Sequence, residues 1–484
     1  MSNLRTGRAA RRDLTSGSLG WNLFRLAAPL AATQFLHALY NLADAFWLGH
    51  WSKNALAAQA VCWPFFFIIF ALAFSFGGAG TALVAQYAGA DRHREADRAA
   101  AQTMLLLVVM STALGIPMAI FSRSLLRLVQ VPPTAIGTAD VYLKIFLMAV
   151  PLIGFSVAYT SILRALGDTV TALVIGLIAN VLNIVMDPLL IYGIGFFPTL
   201  GAGGAAAASL GARVVEGLLF YALLRRGHLG VHLRLRDLKP HWPVLSRMVR
   251  VGVPLAVNRS SDSVGFAVFQ TMINTLGTTV IGAFTVGFRI IHFFNLPAHA
   301  MAMAAAPIVG QALGAGKPDL ARRSVRWSAG IVAGVMFLPL ILLLTYGKLV
   351  ARLFVDDPGV IQEAGRFFMV VPASSYLFGV LMVLLAAFYG SGHTVPAMVV
   401  GFVRLWVIRL PLAYFLAFVL GWNSLGIYLG MVGGNVVCAA ITFGLFKTKG
   451  WQSAVVETDA PVLEEKTPRE APEPGPAEED AAGS

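Results

Sequence analysis

Residues 19–50 read LGWNLFRLAAPLAATQFLHALYNLADAFWLGH, an apolar run long enough to cross a bilayer with tilt or a bend. One carboxylate, Asp44, interrupts it. His37, Tyr40 and Asp44 are spaced i, i+3, i+7 and share one helical face. Pro29, about two turns before His37, removes a backbone N–H and predicts a bend. An ionisable group inside a spanning helix costs about 3 kcal/mol or more, so Asp44 must face protein or water. It is either a functional ion site or a structural carboxylate, paired or wetted near the helix end.

The rest of the chain has the same character. Of 484 residues, 57% are hydrophobic and 12% are charged, half the charge of an average soluble domain, roughly 25%. Mean hydropathy is +0.73. The long apolar runs lack the alternation of an outer-membrane barrel, so the expected fold is an all-α integral membrane protein. Twelve spans are predicted, over 19–48, 55–88, 97–121, 134–163, 170–193, 203–224, 248–273, 280–312, 324–346, 361–389, 395–420 and 424–446. They divide the chain into a basic N-terminus (1–17), an N-terminal six-helix lobe (18–224), a linker (225–247), a C-terminal six-helix lobe (248–446) and an acidic tail (447–484). Cys62 and Cys438 both fall inside spans, as packing residues rather than a disulfide or metal pair.

Net charge is +12. From Trp451 onward, nine acidic residues face only Lys466 and Arg469, so this stretch carries −7 and the remainder +19. The excess orients the protein and does not indicate nucleic-acid binding. Arg5, Arg8, Arg11 and Arg12, then Arg92, Arg94 and Arg98, then Arg225 to Lys239, then Lys317 to Arg326 mark one side. Lys348 and Arg352 are the contrary signal. The positive-inside rule puts both termini in the cytoplasm of a multi-pass inner-membrane protein. The run after the basic N-terminus is too long for a cleaved signal. The Pro- and Glu-rich tail has little to bury and is expected to be disordered.

The halves repeat at a constant shift of 225 residues. Arg25, Pro29, Leu30 and Ala31 become Arg250, Pro254, Leu255 and Ala256; Gln86, Gly89 and Ala90 become Gln311, Gly314 and Ala315; Gly167, Thr169 and Val170 become Gly392, Thr394 and Val395. One gapless offset through six loops is a strong repeat signal. Six spans per half is an even number, so the bundles are parallel, related by a pseudo-two-fold axis along the membrane normal. That layout favours a transporter.

In the fifth span Asn180, Asn183 and Asp187 again share one face. Spans one and five run the same way, so Asp44 and Asp187 can meet in the outer half of the first bundle. Two carboxylates there need a proton on one or a cation between them. Asp44, Asn183 and Asp187, with Tyr40 and a hydroxyl such as Ser209, offer oxygen ligands for Na⁺. The same groups suit a protonated acid, or a structural hydrogen-bond network.

The second half does not copy the site: Asp44 maps to Phe269 and Asp187 to Leu412. It offers instead Arg259 and Asp262, expected as an i, i+3 ion pair, with Arg289, Arg404 and Arg409. No P-loop, ATPase motif or HExxH occurs in the sequence. The expectation is no enzyme and no cofactor beyond a coupling ion.

These features resemble the multidrug and toxic compound extrusion (MATE) family over about residues 18–446. YNLADAFWLGH with NALAAQAV looks like its first span and loop, ALGDTVTA with NVLNIVMDPLLIYGIG like its fourth loop and fifth span, and LGAGGAAAAS like the opening of its sixth. The Tyr40/Asp44 and Asn183/Asp187 pairs look like the DNA-damage-inducible-F-like branch, where those positions form the cation or proton site. The resemblance implies twelve helices in two lobes and export of varied, often cationic amphipathic compounds by H⁺ or Na⁺ antiport through alternating access. It also implies that Pro29 lets the first helix bend, and it fits a monomer embedded in lipid. Ser209 stands where the family usually has Thr, and Asp262 lacks the span-ten carboxylate of another branch. The second-lobe arginines keep an alternative open, a flippase for a lipid-linked or anionic substrate of the same superfamily.

Overall fold

The computed structural model describes residues 12–227 and 235–456. These are helical, with no strand among the described residues. The first lobe comprises α1 (Leu19–Trp51), α2 (Lys53–Gly89), α3 (His93–Ile120), the short α4 (Ser122–Leu128), α5 (Pro133–Ala165), α6 (Val170–Tyr192) and α7 (Ala202–Arg225). The second comprises α8 (Trp242–Asn274), α9 (Thr278–Phe294), α10 (Leu296–Gly314), α11 (Pro318–Arg352) and α12 (Pro358–Ser391). A composite helix follows: α13 (Thr394–Phe402), a π-helical stretch (Val403–Arg409), α14 (Leu410–Tyr414) and a second π-helical stretch (Phe415–Val419). α15 (Asn423–Lys447) ends the lobe.

Local chemistry sets these boundaries. Ser52 and Asp357 cap α2 and α12 by accepting from Ala55 N and Val360 N. Prolines begin α5, α11 and α12, where a missing N–H costs nothing. Among the described residues ten stretches are long and apolar enough to cross a membrane. α1 and α8, richer in polar residues, complete the twelve.

The sequence repeat reappears as a repeat of helix ends. α2 begins at Lys53 and ends at Gly89; α9 begins at Thr278 and α10 ends at Gly314, one repeat later at both ends. The α3–α4 break at Phe121 corresponds to Tyr346, the residue with non-helical backbone inside α11. One expectation is corrected. The eighth span is not one helix but α9 and α10, divided at Asn295 because Pro297 supplies no N–H to the turn behind it. The Asn295 amide bridges Ile291 O at 2.9 Å and Ser375 Oγ at 2.8 Å across the break.

Each lobe has its own apolar core, and the lobes meet along one seam. Leu23, Leu26, Ala27 and Leu30 of α1 pack on Ala298 to Ile308 of α10, while α8 packs on α2 in the mirrored arrangement. Proline weakens α1 and α8 at equivalent places, Pro29 and Pro254. Pro29 cannot bond to the Arg25 carbonyl. The Thr169 hydroxyl donates to Leu26 O at 3.2 Å and reaches Arg25 O at 3.4 Å, and Thr394 donates to Val251 O at 2.7 Å in the other half.

Two terminal segments close the seam. Leu14 N donates to Gln311 Oε1 at 2.9 Å, and Val455 N to Gln86 Oε1 at 2.9 Å. The expected disordered tail therefore starts later than residue 447. Trp451 is buried between Phe388 and Phe446 and donates to Phe446 O, because an indole and two valines give this segment apolar surface to bury. Residues 457–484, 1–11 and the central part of the linker, 228–234, lie outside the described residues.

Candidate functional site

The first lobe gathers polar groups from five helices. α1 contributes Tyr40 and Asp44, α2 Gln59, α5 Tyr142, α6 Asn180, Asn183 and Asp187, and α7 Ser209. All are polar side chains on helices whose other faces are apolar, so burial follows from helix packing rather than from loops. Asp44 is 2% exposed and Asp187 0%.

Gln59 Nε2 donates to Asp44 Oδ2 in a short hydrogen bond. With its amide nitrogen facing Asp187, Asn183 donates to Asp187 Oδ2 at 3.2 Å and accepts from Ser209 N at 3.0 Å and Ser209 Oγ at 3.2 Å. Tyr40 Oη and Ser209 Oγ lie 3.0 Å apart. Each carboxylate is thus held by one oxygen, while Asp44 Oδ1 and Asp187 Oδ1 are buried without a hydrogen-bond partner. The two acids lie within range of each other's charge. Among the described residues no Lys or Arg pairs with either. No group of three or more His, Cys, Asp and Glu among the described residues gathers as a metal cluster.

The structure therefore brings together Tyr40, Asp44, Asn183, Asp187 and Ser209, with Asn180 buried on the same face of α6. Pro29 lies apart, at the seam end of α1. Sequence reasoning passed over Gln59 and Tyr142, which faces Gln59 and Asp44. A glutamine inside an apolar helix was the available signal. Arg213 and Glu216, i, i+3 on α7, pair at 2.7 Å near His37 and were also missed.

In the second lobe the expected Arg259–Asp262 pair is replaced. Asp262 binds Arg404, which lies in the π-helical stretch, at 2.9 Å. Arg259 and Arg289 are exposed. Arg409 Nη2 donates to Asn435 Oδ1 at 2.9 Å. α12 does carry a buried carboxylate, Glu363, contrary to the sequence reading, but Arg366 and Tyr428 engage it at 3.1 and 3.0 Å.

Known proteins of this shape are numerous. The probable multidrug resistance protein NorM of Thermotoga maritima is 25% identical over 451 residues, covering 91% of this chain and 95% of its own length. The FAD transporter of Shewanella oneidensis is 25% identical over 432 residues, covering 89% and 93%. A crystal structure of MATE in the bent conformation superposes with a TM-score of 0.84 at 27% identity, covering 90% of this chain and 96% of that one. The MatE family profile matches residues 29–189 and again 254–415, starting at Pro29 and Pro254, one repeat apart. The chain belongs to the MatE family of membrane transporters, with one family unit in each lobe.

Proposed function

We propose that this protein is a secondary active exporter of small organic molecules, driven by H⁺ or Na⁺ bound at the first-lobe carboxylates. One observation carries the reading. Asp44 and Asp187 are buried together, without a basic partner, and each presents an unpartnered oxygen. Two such groups in a low-dielectric interior require a proton or a cation to compensate them. Both free Oδ1 atoms, the Tyr40 hydroxyl and the Asn183 carbonyl are hard oxygen donors, which fits either ion.

Coupling follows from the position of α1. Its outer half holds Tyr40 and Asp44, and its other half forms the seam through Leu23, Leu26 and Leu30. Ion occupancy at Asp44 thereby acts on a helix that also closes the lobes, with Pro29 as the weak point between. With the arginine-rich loops in the cytoplasm, the closed seam is cytoplasmic and this conformation opens outward. Both termini are then cytoplasmic, in an inner-membrane monomer surrounded by lipid. The names of the relatives, multidrug resistance proteins and an FAD transporter, support export of varied organic compounds; cationic amphiphiles among them are part of the proposal.

Reconstitution in liposomes tests this. A pH gradient and, separately, a Na⁺ gradient should drive transport of a fluorescent organic cation, and Asp44→Asn or Asp187→Asn should abolish it. Driven transport that survives both substitutions overturns the reading.

A further inference from the structure

The second lobe concentrates positive charge where a membrane protein can least afford it. Arg404 is 9% exposed; it pairs with Asp262 and lies over the Phe378 ring, 4.6 Å from its centroid. Arg409 faces Phe269 at 5.9 Å and bonds Asn435, which is itself held by Ser374 O at 3.2 Å. Arg409 Nε is buried with no partner. Arg409 lies within range of the charge of Arg404 and Asp262. Tyr389 sits among Arg259, Asp262 and Arg404, and Arg259 in turn faces Arg164 of the first lobe. Of these guanidiniums Arg404 takes the Asp262 carboxylate, Arg164 is held by Ser161 Oγ at 2.9 Å, and Arg409 has only the neutral Asn435 amide. Guanidinium does not lose its charge in proteins, and an uncompensated buried charge is strongly destabilising.

The backbone is built for this arrangement. On an α-helix, residues five apart point about 140° away from each other. Arg404 and Arg409 both lie in the stretch Val403–Arg409, whose π-helical bonding joins residues five apart, the spacing of the two arginines. Such turns are rare and gather at functional sites. Asn435, Ser374 and Phe378 then fix the orientation of the two side chains.

We infer that the Arg404–Arg409 π-turn, with Arg259 at its open edge, is a subsite for the carboxylate or phosphate group of an organic anion. The occupant supplies the missing negative charge and accepts from Arg409 Nε. The inference rests on the export reading, to which it adds the substrate's charged group. The first-lobe acids then handle the ion, and the second-lobe arginines the anionic group of those cargoes that carry one. A soluble aromatic phosphate and a phospholipid headgroup share this chemistry.

Binding without any gradient separates this from the transport reading. Trp406, inside the π-turn and bonded to Ser261 Oγ at 2.7 Å, is a native fluorescence reporter. Phenyl phosphate would be titrated into protein in phosphatidylcholine nanodiscs, with phenyltrimethylammonium as the cationic control. The expected result is saturable quenching by phenyl phosphate alone, weakened at least tenfold by Arg409→Gln and by Arg259→Gln. Arg259 is exposed, so its substitution leaves the core intact if Arg409→Gln fails to fold. A headgroup as the natural occupant would appear as phosphatidylglycerol co-purifying with wild-type protein, displaced by phenyl phosphate and absent from both arginine variants. If neither phenyl phosphate nor phosphatidylglycerol binding depends on Arg259 or Arg409, the subsite does not exist, whatever the liposome transport assay shows.

Discussion

Gln86 and Gln311, one repeat apart, reach across the seam to equivalent places in opposite lobes. Gln86 Nε2 donates to Gly390 O at 3.0 Å and Ser391 O at 2.9 Å, and Gln311 Nε2 donates to Ala165 O at 2.8 Å. Ala165 and Gly390 are themselves one repeat apart. Each amide uses its oxygen to hold a terminal segment and its nitrogen to hold the other lobe, so two side chains secure four junctions.

Replacing both glutamines with Leu should release the seam. Each lost buried bond contributes about 1 kcal/mol, and the stranded carbonyls cost more. Spin labels at Arg94→Cys and Asp319→Cys, a symmetry-related exposed pair, should report a longer and broader distance in the double variant. An unchanged distribution would mean that apolar packing alone closes the seam.

Gly89→Ala and Gly314→Ala should open the same seam by steric force. A Cβ at Gly89 would overlap the Gln311 carbonyl oxygen, and one at Gly314 would overlap that of Gln86. The obstacle is backbone, which has no rotamer to yield. Each substitution should cost about 1–3 kcal/mol, seen as a lower unfolding temperature and as increased labelling of cysteines placed at the seam.

Ser209 links Tyr40 to Asn183, and hence to Asp187. Ser209→Ala should reduce ion-driven transport about five- to tenfold, the loss expected for about 1 kcal/mol of hydrogen bonding. Ser209→Thr should retain it, because the hydroxyl survives. Equal loss in both variants would point to space rather than hydrogen bonding at this position.

The C-terminal segment separates into a structural part and a dispensable part. Trp451→Ala should destabilise the protein by about 3–5 kcal/mol, the usual cost of truncating a buried Trp. Deletion of 457–484 should leave thermal unfolding unchanged. A matched loss in the two proteins would move the anchoring function into the acidic stretch.

The helices and the repeat were legible because membranes allow little else: apolar length, loop arginines and one constant offset sufficed. Asp44 and Asp187 were legible for the related reason that a carboxylate in a span is conspicuous. Gln59 was hidden by its modest polarity and by packing from another helix, which i, i+3 spacing cannot reveal. The Arg404–Asp262 pair was misread as Arg259–Asp262 because a π-turn leaves no mark in α-helical periodicity. The break at Asn295 was visible only as Pro297 in an otherwise apolar run. The tail was misplaced because composition averages Trp451, Val455 and Val456 into the acidic stretch that follows.

Each end of the folded chain is held by the lobe it does not belong to, which has a consequence for synthesis. Leu14 waits for Gln311, 297 residues later, and Gln86 waits for Val456, 370 residues later. The first lobe therefore leaves the ribosome and enters the bilayer with this amide oxygen still unclaimed. Sealing becomes the last event of assembly, and a chain released early would have two bundles but no finished gate.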